Sequence, residues 1–307
     1  MALPLRLKAD LALAGVVLIW GTSFVIVKAA LADASPLAFL LLRFLVASLA
    51  MLALSWRFLF PLDAGTFRAG AVIGFFLFAG FAFQTIGLQH TTPTKSAFIT
   101  ALSVPLVPLL LVFVLRHRLR WESLAGIAAA TVGMYFLTVP PGELDIARGD
   151  LLTLACALAF AGHIVAIGRY APRYGHSHLA LWQILVALAL FALIAPVAGA
   201  AGLDALEVRW TGRLLLALGV TGVLATALAF SVQTWAQQFT LPTHTAILFS
   251  LEPVFAALTS FLVLQERLGW RGLLGAALIL FGVLLVELRG TPVPVDAVDA
   301  ANPSDDG

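Results

Sequence analysis

QHTTPTKSAF, at residues 89–98, recurs as QFTLPTHTAI at residues 238–247, an offset of 149 residues. When the chain is aligned with itself at this offset, 18 of the 50 positions from Gln84 to Gly133 are identical to their counterparts. The identical residues include Gln, Thr, Pro, Gly and Trp, so a shared apolar composition does not explain the match. The two segments are therefore predicted to belong to an internal duplication.

The composition of the chain indicates a protein embedded in lipid. Of its 307 residues, 61% are hydrophobic and only 11% are charged, whereas an ordinary soluble domain carries about 25% charged residues. No basic patch interleaved with aromatic residues occurs, so no nucleic-acid partner is expected. The apolar run from Leu11 to Ala30 is longer than the roughly 7 to 15 residues of a signal-peptide core, and it predicts a retained first membrane helix.

About twenty apolar residues cross a bilayer as a helix, and on that measure the chain holds ten spans joined by short loops. The predicted spans are residues 11–30, 37–56, 68–89, 94–115, 121–139, 151–170, 177–199, 212–236, 243–264 and 270–288. The final residues 291–307 are rich in Pro, Asp and Ala and are predicted to form a disordered cytoplasmic tail.

The distribution of Lys and Arg predicts the orientation, because cytoplasmic loops accumulate these residues. Ten of them fall on the side of the N-terminus and five on the opposite side, which predicts that both termini are cytoplasmic. Residues 1–140 and 149–290 each contain five predicted spans, and an odd number of spans makes the second half enter from the opposite side. The predicted fold is an all-α membrane protein with ten transmembrane helices in two inverted five-helix repeats.

Three motifs carry a resemblance to a known family. They are Trp20-Gly-Thr-Ser-Phe24 in the first span, Ser250-Leu-Glu-Pro-Val-Phe-Ala-Ala-Leu258 in the ninth, and Gln265-Glu-Arg-Leu268 after it. With ten spans and a duplication, the chain resembles the EamA branch of the drug/metabolite transporter superfamily. The resemblance implies a carrier of the bacterial inner membrane, and the YddG-like exporters of aromatic amino acids are similar in plan.

The resemblance and the repeat together predict a secondary active transporter that moves small metabolites, above all amino acids, out of the cytoplasm by alternating access. An importer or exchanger of another metabolite or of a toxic cation is an alternative within transport, and a passive channel is an alternative from a different class. The chain has no phosphate-binding Gly-x-x-x-x-Gly-Lys loop and no metal-ligand spacing, so neither an enzyme, a cofactor nor a metal site is expected. The expected partners are the small-molecule substrate, protons and the lipid bilayer.

Polar and aromatic side chains inside the spans are the candidate site residues, because such groups are costly in lipid. The candidates for substrate binding or for lining a cavity are Trp20, Ser23, Gln84, Lys95, His163, Trp182, Gln233, Trp235 and His244. Each of them also has a structural interpretation, as a packed ring, a hydrogen bond between helices or a side chain that reaches the headgroups. His163 is the counterpart of Ser23 at a second repeat offset of 140 residues.

Glu252 and Arg43 are the two candidates with a charge deep inside a span. Glu252 is the candidate for proton coupling, and its alternative interpretation is a structural carboxyl group beside Pro253. Arg43 is the candidate charge partner of a substrate or of another protein group. In the first half Ser103 stands at the repeat position of Glu252, so any role of the glutamate is not symmetric.

Overall fold

The computed structural model describes residues 4–60, 63–91, 93–115, 121–138, 148–264 and 269–289. These residues are almost entirely helical, and among them the only β-type pairing is an isolated bridge between Ala34 and Val208. The predicted tail, residues 291–307, lies outside the described part of the chain. The all-α prediction is thus confirmed for the described residues.

Six helical segments in the described residues are long and apolar enough to cross a membrane. They are α1 (Leu5–Ala30), α2 with a 3₁₀ turn (Pro36–Leu59), α3 (Ala64–Gln89), α7 (Arg148–Tyr174), α8 (His176–Ala200) and a composite helix (Gly212–Ala236). The composite helix consists of α9 (Gly212–Gly219), a π-helical segment (Val220–Leu228) and α10 (Ala229–Ala236). The shorter helices are α4 (Pro93–Ala101), α5 (Ser103–Leu115), α6 (Trp121–Thr138), α11 (Pro242–Phe249), α12 (Glu252–Leu264) and α13 (Trp270–Arg289).

Three of the helices begin at a start signal that the sequence provides. Asp63 caps α3 by accepting hydrogen bonds from the backbone N–H and the hydroxyl of Thr66, and these bonds hold the pKa of the Asp63 carboxyl below its usual value. Thr211 caps α9 by accepting a bond from the N–H of Leu214. A proline opens α11 at Pro242, where its missing N–H removes no helical bond.

The predicted fourth and ninth spans are each broken into two helices, which corrects the expectation of continuous helices over residues 94–115 and 243–264. α4 ends at Ala101 and α11 ends at Phe249. Each of these residues lies four positions before a proline, Pro105 or Pro253. A proline has no N–H to give to the carbonyl four residues earlier, and its ring clashes with that carbonyl. The two breaks are therefore encoded by the prolines.

Each contact between the halves has an equivalent contact in which the two halves change roles. α6 packs along α13, its own repeat counterpart. α3 packs on α7, and the composite helix, which is the counterpart of α3, packs on α1. In the same way α1 contacts α11 and α12, while α7 contacts α4 and α5. Such reciprocity is typical of two equivalent units related by a two-fold axis.

Two glycine contacts show the relative direction of α6 and α13. Gly133 of α6 lies against the carbonyl oxygen of Gly275 in α13, and Gly282 of α13 lies against that of Gly126 in α6. A Cβ at Gly133 would lie 2.6 Å from the first oxygen, and one at Gly282 would lie 2.5 Å from the second. Residue numbers rise along α6 as they fall along α13, so the two helices are antiparallel where they touch.

Polarity is arranged in the opposite sense to that of a soluble protein. Large apolar side chains such as Leu49, Leu193 and Leu216 are exposed on the outside. Thr234 and Gln233 are fully buried. Apolar side chains face outward and polar side chains lie inside, as expected when the surrounding solvent is lipid.

Candidate functional site

A cavity lies among the helices of both halves. The first half contributes residues of α1 to α5, and the second half contributes residues of α7 and α10 to α12. Aromatic rings form much of the wall, and the polar lining comes from several helices. The cavity is lined by Trp20, Ser23, Phe24, Val27, Arg43, Phe81, Gln84, Thr85, Leu88, Thr100, Ala101, Ser103, Phe160, His163, Ile164, Phe230, Gln233, Phe249 and Glu252.

Seven of the candidate residues meet at this cavity, although they come from six different helices. They are Trp20, Ser23, Arg43, Gln84, His163, Gln233 and Glu252. Ser103, the repeat counterpart of Glu252, also lines it. The structure thus brings most of the predicted polar side chains together at one place.

Trp20 is held in the wall by a hydrogen bond to the π-helical segment. Its indole N–H donates to the carbonyl oxygen of Ala225 at 2.9 Å. The Trp20 ring lies 5.1 Å from the ring of Phe230 and 5.1 Å from that of Phe249. The N–H is therefore satisfied by the protein, and Trp20 contributes an apolar, polarisable surface to the cavity.

Arg43 is almost fully buried, and its partners within the described residues are uncharged. Its Nε donates to the hydroxyl of Thr226 at 2.8 Å, and its guanidinium lies 4.3 Å from the centre of the Phe81 ring. Thr226 in turn donates to the carbonyl of Thr221, five residues earlier. The π-helical geometry thus places the hydroxyl that orients Arg43.

A buried hydrogen-bond chain starts at His163 and was not predicted from the sequence. His163 Nε2 lies 2.9 Å from Gln183 Oε1, Gln183 Nε2 donates to Thr234 at 2.8 Å, and Thr234 donates to the carbonyl of Phe230 at 2.6 Å. Thr234 donates its only proton to Phe230, so it accepts from Gln183 Nε2, and this fixes the orientation of the Gln183 amide. Gln183 Oε1 is then an acceptor, and His163 Nε2 must donate to it. Gln183 is the counterpart of Arg43 at the offset of 140 residues, and this signal was available in the sequence.

The two repeated glutamines have different surroundings. Gln84 Nε2 donates to the hydroxyl of Thr100 at 3.2 Å. Gln233 Nε2 donates to Gln237 Oε1 at 2.9 Å, and Gln237 donates to the carbonyl of Ile164. Gln233 Oε1 is buried and accepts no hydrogen bond from the described residues. The second-half glutamine therefore lines the cavity and keeps an acceptor that is unused among the described residues.

Glu252 is the first residue of α12, directly after the break that follows α11. Its backbone carbonyl lies against Gly21 of α1, where a Cβ would come within 2.8 Å of the oxygen. Its carboxyl group lines the cavity and has no hydrogen-bond partner among the described residues. The break between α11 and α12 thus presents an acidic residue to the cavity.

Three predicted candidates lie away from the cavity, and the fourth remaining candidate, Lys95, is not tested. Trp182 packs on Phe67 with 5.4 Å between their ring centres. Trp235 packs on Phe239 and borders a separate surface pocket. His244 is buried next to Arg6 and Thr240, with its Nδ1 2.9 Å from Arg6 Nη2 and 3.1 Å from Thr240 Oγ1. The side chain of Lys95 lies outside what the structure describes.

The two ends of the bundle differ around the cavity. Toward the N-terminus of α1, an apolar cluster that includes Leu13, Val17 and Ile247 packs tightly. At the other end Asp33, in the loop after α1, accepts hydrogen bonds from Thr211 at 2.8 Å and from Arg213 at 2.7 Å. Arg213 and Thr211 hold the pKa of the Asp33 carboxyl below its usual value. This ion pair links a loop of the first half to the second half.

Within the described residues, no group of three or more His, Cys, Asp or Glu side chains is arranged to hold a metal ion.

Comparisons with known proteins agree on the class of molecule. The EamA-like transporter family matches residues 7–139 and again residues 147–288. A protein of Archaeoglobus fulgidus named as an uncharacterized transporter is 39% identical over 285 residues, covering 92% of this chain and 87% of that protein. A crystal structure with 21% sequence identity has a TM-score of 0.75 and covers 92% of this chain and 96% of its own, which shows the fold alone.

Two further relatives carry a more specific name. A probable amino-acid metabolite efflux pump of Salmonella typhimurium is 29% identical, and one of Escherichia coli is 27% identical. Each alignment covers 88% of this chain and 91% of the relative. The relatives are named transporters rather than enzymes. The two matched segments, which coincide with the two halves of the repeat, place the chain in the EamA-like transporter family.

Proposed function

We propose that this chain is a secondary transporter of the cytoplasmic membrane that exports amino acids, including aromatic ones, by alternating access. The observation that carries the proposal is the central cavity, whose polar and aromatic lining is drawn from both halves of the repeat. A site shared by two halves can open to one side or the other when the halves rock against each other.

The inverted arrangement is part of this proposal, with ten spans and both termini in the cytoplasm. It is supported by the antiparallel contact of α6 with α13 through repeat-related glycines. If the repeat axis runs perpendicular to these helices, it lies in the membrane plane and the halves have opposite orientations. The breaks after α4 and α11 then provide the interrupted helices that carriers of this type use near the membrane midplane.

The choice of a carrier over a channel is supported by the packing at one end of the cavity. The apolar cluster around Leu13 and Val17 fills the bundle between the cavity and the N-terminal end of α1. A permanently open pore is not compatible with side chains packed in this way. Access from that end requires the helices to move, which is the behaviour of a carrier.

Proton coupling is assigned to Glu252. Its carboxyl group faces the cavity without a hydrogen-bond partner in the described residues, so a proton or a cationic cargo group can reach it. Binding of one would exclude the other at the same carboxylate. Such competition exchanges protons for cargo across the membrane. The names of the two amino-acid metabolite efflux pumps support the choice of cargo.

The experiment is counterflow in proteoliposomes that contain the purified chain. Vesicles loaded with unlabelled L-phenylalanine should transiently accumulate labelled L-phenylalanine from outside above the equilibrium level, and protein-free vesicles should not. Equilibration without this overshoot would indicate a channel and would contradict the proposal. An overshoot with another metabolite only would reject the amino-acid cargo and leave the carrier mechanism standing.

The direction of transport is tested in cells fed a phenylalanine-containing dipeptide. Expression of the chain should lower the intracellular phenylalanine and raise its concentration in the medium, with the empty vector as control. A rise inside the cells would show import and contradict the export proposal.

A further inference from the structure

The cavity is lined by two residues of opposite charge. Arg43 and Glu252 both line it, yet no ion pair joins them within the described residues. Among the described residues neither charge has an oppositely charged partner, and an unpaired charge is unfavourable in a low-dielectric interior. Both charges would gain from a ligand that carries the complementary group.

The arginine end of the cavity is built for a carboxylate. Arg43 is held by Nε through Thr226 and by its contact with the Phe81 ring, and its Nη atoms have no hydrogen-bond partner among the described residues. A guanidinium fixed in this way can offer its remaining N–H groups to two oxygens of one carboxylate. Arg43 therefore fits the acid end of a ligand.

Two of the residues that line the cavity, Gln233 and Glu252, carry acceptor oxygens without a hydrogen-bond donor among the described residues. Gln233 is fully buried, and because its Nε2 is committed to Gln237, the amide orientation leaves Oε1 as an acceptor without a donor. A buried acceptor that receives no hydrogen bond costs free energy. An ammonium group is a donor only, so it suits the two acceptors that these lining residues carry, Gln233 Oε1 and the Glu252 carboxyl group.

We infer that the central cavity is a two-pole site for a zwitterionic amino acid, with Arg43 binding the α-carboxylate and with Gln233 and Glu252 binding the α-ammonium group. This inference rests on the proposed function and specifies its site. The rings of Trp20, Phe81, Phe230 and Phe249 line the same space and accommodate an apolar or aromatic side chain. Recognition of both polar ends means that an analogue lacking either end leaves one buried group unpaired.

The test measures binding of three related ligands to the purified full chain by isothermal titration. The ligands are L-phenylalanine, L-phenylalaninamide, which lacks the carboxylate, and 3-phenylpropionate, which lacks the amino group. The wild-type chain should bind L-phenylalanine at least about tenfold more tightly than either analogue. Equal affinity for all three would overturn the inference, and this arm needs no variant.

The variants assign each pole to its residues. Arg43→Gln should remove the preference for L-phenylalanine over the amide and keep the preference over 3-phenylpropionate. Gln233→Leu and Glu252→Gln should remove the preference for L-phenylalanine over 3-phenylpropionate and keep the preference over the amide. The matched control is Arg68→Gln, because Arg68 is exposed near the start of α3, and it should bind all three ligands as the wild type does.

A structural role of Arg43 would give a different result. If Arg43→Gln weakens all three ligands equally while Arg43→Lys restores them equally, the carboxylate assignment is wrong. Selective binding of L-phenylalanine without counterflow would support the site and reject the carrier function. Counterflow of another metabolite without L-phenylalanine binding would overturn the site and leave the carrier function intact.

Discussion

The breaks after α4 and after α11 occupy equivalent places in the two halves and end at the same repeat position, yet they begin one position apart. The last helical residue before each break lies four residues before the proline of that half, which is Pro105 or Pro253. At the offset of 149 residues Pro105 corresponds to Val254, so the prolines differ by one position, and so do the helix ends. The architecture of a broken span is thus shared, while the residue at which the break begins follows the proline of each half.

This shift accompanies a chemical difference between the two breaks. Ser103 begins α5 in the first half, and Glu252 begins α12 in the second. Both side chains line the cavity. One half therefore offers a neutral hydroxyl at the place where the other offers a carboxyl group. The comparison indicates that duplication supplied the scaffold and that divergence at the breaks supplied the charge.

The largest effect is expected when this chemical difference is removed. Glu252→Gln should reduce uptake driven by a pH gradient to the level of protein-free vesicles, because an amide does not exchange a proton. Ser103→Ala, the matched change in the first half, should stay within about twofold of the wild type, since it removes no ionisable group. The measurement is the initial rate of pH-driven flux in proteoliposomes. Normal driven flux in Glu252→Gln would reject the assignment of proton coupling.

The next effect concerns a feature that the halves share. Gly133→Ala and Gly282→Ala each place a methyl group against a backbone oxygen of the facing helix, and each should lower the free energy of unfolding by about 1 to 3 kcal/mol. The two values should be similar because the contacts are reciprocal. Denaturation of the protein in detergent measures both.

Gly15→Ala is the control for the glycine variants, because a Cβ at Gly15 has no neighbour within 4 Å. The higher helix propensity of alanine should make this variant neutral or slightly more stable. A large loss at Gly133 without one at Gly282 would contradict the reciprocal packing of α6 and α13.

The smallest effect is expected at a loop where the halves differ. In the loop after α1, Asp33 accepts a hydrogen bond from Arg213 of the second half. The equivalent loop of the second half, between α7 and α8, is the single residue Gly175, with φ of 74°. The folded pKa of Asp33 is lowered, so its ion pair stabilises the fold above the usual value of 3.8 and is lost as the pH falls through the lowered pKa. Asp33→Asn should therefore remove the part of the acid dependence that this pair provides.

Thermal denaturation of purified protein near neutral pH and below the usual carboxyl pKa measures this dependence. Glu207→Gln is the matched control, because Glu207 is exposed in the facing loop and should keep the wild-type acid response. An unchanged acid dependence in Asp33→Asn would show that the ion pair does not link the halves energetically.

Much of the helical architecture could be predicted from the sequence, because long apolar runs must form helices in lipid. The helix breaks were missed since the hydropathy is continuous across Leu102 and Ser250, and only the spacing to Pro105 and Pro253 marks them. The π-helical segment was also missed. Its residues, such as Thr221 and Thr226, are equally compatible with an α-helix, and its geometry depends on packing against α2.

The candidate site was predictable to the extent that buried polar groups need an internal environment. This reasoning identified Arg43, Gln233 and Glu252, which line the cavity. It did not separate them from Trp182 and Trp235, because depth within a span does not reveal which face of the helix meets the cavity. That information arises from tertiary packing.

The proposed inverted arrangement places the two matching segments on opposite sides of the membrane, and the accessibility of two introduced cysteines measures this. His90 and Phe239 are repeat counterparts at the offset of 149 residues. Each is replaced by cysteine in a Cys156→Ser background, which removes the single native cysteine, and intact cells are treated with a membrane-impermeant maleimide. We expect labelling at position 90 in intact cells and at position 239 only after permeabilisation. Labelling of both positions from the same side would contradict it.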